Sequence, residues 1–354
     1  MLHSVPNAPA DPDLLAATLD ALRTGAVVAL PTETVYGLAA RGDDPRALER
    51  LERLKGRPAE HRFTRVVAGT AALAEAVELR PGLERLAERY WPGPLTLVVR
   101  VAPGAPLSED GWLGLRVPAH EATRDLAERA DFPIALTSAN RHGDRPAVEA
   151  ATVVKTFGDE VALVWDGGPA RLGEASGVLR VGRGSFEMLR ECLIDLPTLR
   201  RTAGRRIVYV CTGNTCRSPM AAGLTRALLT ERVGGSPEAF GFEIASMGVT
   251  APPGSPAAKE AIDVLAERGI DITAHRSRRV DDRLLAETDE ILCLTRSHRD
   301  ALLGVLSPRH ADRVRLLHPD GLDIPDPIGG DATVYRKAAD TIESCIRARL
   351  DGWA

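Results

Sequence analysis

Apolar residues along this chain fall into two alternating patterns. Between Asp11 and Gly25, Leu15, Leu19 and Leu22 recur at helical spacing, with Asp11 placed to cap the helix, Pro12 in its first turn and Gly25 to end it. Ala26–Leu30 follows as an unbroken apolar run and reads as a strand. Leu95–Val101, Ile134–Thr137, Ala162–Trp165 and Val178–Val181 are similar runs, separated by helical patterns, and the alternation predicts an α/β fold. Asp195–Arg205 has no apolar periodicity, contains Pro and Gly and is rich in arginine, so it reads as a linker. Ile207–Val210, a compact β-branched run, opens a new domain directly afterwards. The pattern thus predicts domains over residues 1–198 and 206–354, joined by a linker at 199–205.

Length agrees with that division, because 354 residues exceed what a single core usually supports. A net charge of −4 with both signs spread along the chain gives no global preference for a polyanionic partner. The N-terminus lacks a basic start followed by an apolar run, and no stretch is long and apolar enough to cross a bilayer. Five cysteines, an odd number set mostly in apolar runs, fit reduced thiols better than a disulfide framework. These features predict a soluble, cytoplasmic protein.

The candidate chemistry begins after Ile207–Val210. Cys211-Thr212-Gly213-Asn214-Thr215-Cys216-Arg217-Ser218-Pro219 places five residues between a cysteine and an arginine, with a serine next. A loop of this length, leaving a strand and entering a helix, turns successive N–H groups inward and makes an anion site. The same field stabilises a Cys211 thiolate, with Arg217 and the Ser218 hydroxyl contributing, and Arg217 can hold two phosphate oxygens. A leaving group needs a proton, and Asp323-Ile324-Pro325-Asp326-Pro327 offers Asp326 as general acid, with Asp323 the weaker candidate and a plain turn aspartate the bland alternative.

Residues 206–350 resemble the low-molecular-weight protein phosphatases in this loop, in the late Asp-Pro segment and in the order of Ser246-Met247-Gly248, His275-Arg276-Ser277-Arg278 and Ile291–Thr295. The resemblance implies a doubly wound parallel sheet, no cofactor, catalysis by Cys211, Arg217 and Asp326, and a phosphorylated protein as substrate. Thr212, Gly213, Asn214, Thr215, Cys216 and Ser218 complete the loop. Within that family the loop is similar to that of the protein arginine phosphatases. Thr215 occupies a position where tyrosine-specific members usually carry a larger aliphatic residue, so it implies room for a guanidinium. Cys216 either forms a reversible disulfide with Cys211, as the family implies, or packs at the helix start.

In the first half, Pro31–Leu38 forms a polar turn at a strand end, a usual ligand position in α/β sheets. Lys55 and Arg57 close a helical stretch, where they can neutralise phosphates or simply favour the helix dipole. Eight basic and five acidic residues between Arg41 and Arg65 suit either a salt-bridged face or an RNA backbone. Residues 10–195 resemble the threonylcarbamoyl-AMP synthase (YrdC-like) family. The match lies in Pro31–Leu38, Lys55-Gly56-Arg57, Trp91–Leu97, Arg116-Val117-Pro118-Ala119-His120, Ser138-Ala139-Asn140 and Asp166-Gly167-Gly168-Pro169. This implies a twisted α/β sheet and synthesis of threonylcarbamoyl-adenylate from L-threonine, bicarbonate and ATP with Mg2+, for tRNA modification. It also implies ATP contacts at Lys55, Arg57, Ser138 and Asn140, threonine contacts at Thr34, Arg116 and Ser176, and in some members a double-stranded RNA surface. No resident metal is expected. The chain departs from the family at Arg62-Phe63, Arg145-Pro146-Ala147, Ala175-Ser176-Gly177 and Arg190-Glu191-Cys192. The expectation is a bifunctional fusion; the alternative is a phosphatase guided by a non-catalytic RNA- or nucleotide-binding module.

Overall fold

A computed structural model describes residues 2–4, 10–56, 63–77, 81–183 and 185–353. The chain divides into two compact units, Met1–Leu199 and Arg200–Ala354.

The first unit is built on ten strands: β1 (Leu2–Ser4), β2 (Val28–Leu30), β3 (Gly37–Arg41), β4 (Thr64–Val66), β5 (Leu95–Arg100), β6 (Trp112–Arg116), β7 (Ile134–Ser138), β8 (Leu163–Asp166), β9 (Gly177–Gly182) and β10 (Ser185–Arg190). They form one mixed sheet in the order β1-β8-β2-β3-β7-β4-β6-β5-β9-β10. Successive residues of the central strands enter different cores. Ala29, Leu38, Ala40 and Ala135 join the cluster around Leu51, Val153 and Phe157, whereas Val28, Leu30, Ala39, Ile134 and Leu136 join the cluster around Leu15, Leu22, Leu126 and Trp165. Burial on both faces explains why these strands read as unbroken apolar runs and not as alternation. The helix Pro12–Arg23 supplies Leu15, Leu19 and Leu22 to the second core, and Asp11 caps it by accepting from the N–H groups of Asp13 and Leu14. The helix Pro45–Lys55 stops at Gly56, whose φ of 63° favours glycine.

In the second unit β11 (Arg206–Cys211), β12 (Glu243–Gly248), β13 (Glu290–Cys293) and β14 (Val314–Leu316) pair in parallel in the order β12-β11-β13-β14. Chain order reverses at β11, so the loop beyond its C-terminal end lies at the switch point where doubly wound sheets bind ligands. Val208 and Val210 face the core around Ile291 and Leu302. On the opposite face, the Tyr209 hydroxyl meets Thr225 Oγ1 at 2.6 Å.

The segment expected as a linker, 199–205, is mostly helical: a helix spans Leu196–Ala203, and β11 starts at Arg206. Leu199 and Ala203, four residues apart, are both buried. Two apolar positions on one stripe suffice for a helix of this length when tertiary packing holds it, although they are too few to show as a period.

Candidate active sites

The phosphate loop joins β11 to the helix Arg217–Val233. Its carbonyls are engaged from outside: Val249 N–H donates to Cys211 O at 3.0 Å, Thr250 N–H to Thr212 O at 3.1 Å, Ala258 N–H to Thr215 O at 2.8 Å, and His275 Nε2 meets Asn214 O at 2.7 Å. Fixing the carbonyls outward leaves the loop's N–H groups for an anion. Gly248 is required at the end of β12, because a Cβ there would come within 2.4 Å of Thr212 O and 2.9 Å of Asn214 N.

Asn214 locks the loop. It is fully buried at φ 55°, a left-handed conformation that asparagine tolerates better than most residues. Its Nδ2 donates to Ser218 Oγ at 2.8 Å and to Ser246 Oγ at 2.9 Å, and its Oδ1 accepts from Arg278 N–H at 2.9 Å. Its own N–H points to Cys211 Sγ at 3.3 Å. Ser218 Oγ lies 3.0 Å from Cys211 Sγ. Since the Ser218 oxygen already accepts from Asn214, its proton can go to the Cys211 sulfur, with Met247 O the more distant alternative at 3.4 Å.

Arg217 bridges the phosphate loop and the acid loop. It is buried; Nη1 donates to Ile324 O at 3.1 Å and Nη2 pairs with Asp326 Oδ2 at 2.5 Å. Asp326 is partly exposed at the rim. Asp323 is committed elsewhere, accepting from Arg296 N–H at 2.8 Å at the start of the helix Arg296–Leu303. Thr215 is half-buried. Cys216 Sγ sits 3.2 Å from the Tyr335 hydroxyl, and burial together with that thiol holds the phenol well above its ordinary range. All five cysteines are free. His298 carried no signal in the sequence, yet it ties the phosphate loop to the N-cap of its own helix, Arg296–Leu303: Nε2 meets Thr212 Oγ1 at 2.8 Å and Nδ1 meets Thr295 Oγ1 at 2.9 Å. Burial, aided by Arg217, lowers its pKa to about 4, so the ring is neutral at neutral pH.

In the first unit a cleft of about 920 Å³, open to solvent, is lined by Thr34, Arg116, Ser138 and Ser176 among others. Arg116 is buried and donates through Nη2 to Glu33 Oε1 at 2.7 Å and to Thr34 Oγ1 at 2.8 Å, and through Nε to Gly93 O at 3.1 Å. The second carboxylate oxygen of Glu33 accepts from Ala119 N–H at 2.7 Å. Glu33 thus aims the guanidinium, a role that its place in the polar turn hinted at but did not specify. Lys55 is the last residue of its helix. It is buried, with Nζ 2.6 Å from Ser138 O and 2.7 Å from Asn140 Oδ1, and so reaches the cleft through Ser138. Arg57, expected beside it, lies outside the described residues, as does Arg62. Sequence reasoning also missed Thr96, whose Oγ1 is 3.0 Å from Ser176 Oγ, and treated Arg190 only as a departure from the family pattern. Arg190 Nε donates to Ser176 O at 2.7 Å, and the residue lines the same cleft.

Comparison with known proteins divides the chain at the same place. A family model named Sua5–YciO–YrdC, described as telomere recombination, matches residues 20–192, and one described as low molecular weight phosphotyrosine protein phosphatase matches 206–351. A threonylcarbamoyl-AMP synthase of Pyrococcus abyssi is 36% identical over 56% of this chain and 61% of its own length. A synthase of the same name from Idiomarina loihiensis is 36% identical over 44% of this chain and 86% of its own. A protein-arginine-phosphatase of Geobacillus stearothermophilus is 40% identical over 40% of this chain and 90% of its own. The chain therefore spans less than two thirds of the Pyrococcus protein but most of the other two.

Proposed function

The chain belongs to the Sua5–YciO–YrdC family through its first unit and to the low-molecular-weight protein phosphatases through its second, and from this membership we propose that it is a bifunctional enzyme, a threonylcarbamoyl-AMP synthase joined to a protein phosphatase that prefers phosphoarginine. The observation that carries the phosphatase half is the convergence of Cys211, Ser218, Arg217 and Asp326 on one loop. The Cys211 thiolate attacks phosphorus in line, and a sulfur–phosphorus bond forms as the bond to the leaving nitrogen or oxygen breaks. Asp326 gives its proton to that atom, then takes one from the water that releases phosphate from Cys211. As substrate enters, Arg217 turns its Nη2 from Asp326 to the phosphate oxygens, and the released carboxylate takes up from solvent the proton that it then gives to the leaving atom. A half-buried hydroxyl at Thr215, in place of a larger aliphatic group, supports the preference for a flat guanidinium.

For the synthase half the support is the cleft itself. Arg116, held by Glu33, offers its guanidinium to the threonine carboxylate beside the Thr34 hydroxyl and Ser176, while Lys55, Ser138 and Asn140 form a polar end for the nucleotide. Bicarbonate and the threonine amine condense to a carbamate with loss of water. The carbamate displaces pyrophosphate from ATP, whose phosphates would carry Mg2+ for charge neutralisation. The adenylate then serves as donor of the threonylcarbamoyl group to a tRNA adenosine. Among the described residues no helix is long and apolar enough to cross a membrane.

Two assays on the full chain test the proposal. Pyrophosphate release should require ATP, threonine and bicarbonate together, and a phosphoarginine peptide should be hydrolysed faster than a phosphotyrosine peptide. Cys211→Ser should remove only the second activity. Absence of threonine-dependent pyrophosphate release overturns the synthase half, and an inert phosphoarginine peptide overturns the stated preference.

A further inference from the structure

A second cleft in the phosphatase unit takes no part in the proposed chemistry. It holds about 830 Å³ of space open to solvent and is lined by Arg226, Ser246, Asp271, His275, Arg276 and Arg278. Two elements supply the cations, the helix Arg217–Val233 and the His275–Arg278 segment that sequence analysis singled out and the proposed reaction leaves unused. Among the described residues neither Arg276 nor Arg278 has a carboxylate within ion-pair distance. Arg226 has one, Glu238, 3.7 Å from its Nε. Asp271 is occupied in accepting from Thr273 N–H at 2.7 Å. Burial, aided by the three guanidiniums, holds the His275 ring below its ordinary range.

Two of these arginines also cover the edge of the sheet. β12 is an edge strand, and its carbonyls at Ile244 and Ser246 already accept from Arg226 Nη2 and Arg278 Nε. An extended acidic peptide therefore finds no free carbonyls at those positions for strand addition. A compact ligand fits the remaining donors better, because forked guanidiniums from two directions match tetrahedral phosphate oxygens.

We propose that this cleft binds a polyphosphate chain, either free pyrophosphate or the phosphates of a nucleotide. The site lies directly behind the phosphate loop, because the same His275 contacts Asn214 O and the same Arg278 contributes the N–H that Asn214 Oδ1 accepts.

The test is calorimetric titration of pyrophosphate into the full chain with orthovanadate saturating the phosphate loop. The wild-type chain should still take up pyrophosphate, more weakly as salt rises, and Arg226→Gln and Arg276→Gln should each weaken the cleft's affinity about tenfold. Both side chains are exposed and lie outside the catalytic loop, so retained phosphatase turnover verifies that the variants fold. ATP and AMP arms separate the sources. Each arm is read as the difference between wild type and Arg226→Gln, so that uptake by the first unit's cleft cancels. A larger difference for ATP assigns the nucleotide, a larger difference for pyrophosphate assigns the free anion, and either supports the site. Identical pyrophosphate binding by wild type and variants places the anion elsewhere and overturns the proposal. Binding of a polyglutamate peptide without binding of pyrophosphate overturns it as well.

Discussion

Replacing Asn214 tests how the phosphate loop is held. The side chain makes three hydrogen bonds, two donated to Ser218 and Ser246 and one accepted from Arg278, and the residue sits at φ 55° with no exposure. A buried hydrogen bond contributes about 1 kcal/mol net, and each polar group stranded by its loss costs about 1–3 kcal/mol before local rearrangement. Asn214→Gly keeps the backbone conformation at no steric cost, so its loss isolates the three bonds at about 3 kcal/mol. Asn214→Ala adds about 1 kcal/mol for a Cβ in the left-handed region and should reach about 4 kcal/mol. Against a typical domain stability of about 5–15 kcal/mol, both variants stay foldable but weakened. Urea denaturation of the full chain, followed through the transition that abolishes phosphatase activity, measures both. Turnover should also fall in the glycine variant, because Ser218 and the N–H facing Cys211 lose their anchor. Equal stability of the alanine and glycine variants would show that the backbone conformation is not under strain. A loss below about 1 kcal/mol in both would refute the whole account of the loop's support.

Cys211→Ser should abolish phosphatase turnover while phosphate affinity survives, and residual activity above roughly 1% argues against Cys211 as nucleophile. Thr215→Ile should lower phosphoarginine turnover and move the ratio toward phosphotyrosine peptides; an unchanged ratio removes Thr215 as a specificity determinant. His298 should make stability depend on pH. Burial sets its folded pKa at about 4 against an ordinary 6.5, so the unfolded chain binds the extra proton first and stability falls as pH drops through that window. The contribution lost by pH 5 is about 2 kcal/mol. Denaturation midpoints at pH 7 and pH 5 should therefore differ less in His298→Gln than in the wild type, and equal differences would contradict the assignment.

The phosphate loop was legible because it is contiguous: a strand, a loop of fixed length and a helix start specify the backbone of Cys211–Ser218 locally, so identity and spacing carry the geometry. The helix Pro12–Arg23 was legible for the same reason, with cap, apolar stripe and terminating Gly25 all within one stretch. Asp326 could be proposed from its Asp-Pro loop, but only the fold sets it against Arg217, and only the fold removes Asp323 by engaging it at the Arg296 helix. His298 and Glu33 act across 86 and 83 residues, on Thr212 and Arg116, and no local pattern records such a pairing. Short strands such as Gly37–Arg41 and Ser185–Arg190, and the helix at Leu196–Ala203, escaped because their residues have no strong preference of their own. Local sequence determines backbone shape where propensity, caps and turn residues agree. Which side chains meet across the chain, and which short segments become regular, depends on burial against partners distant in sequence, and that is settled only when the tertiary structure forms.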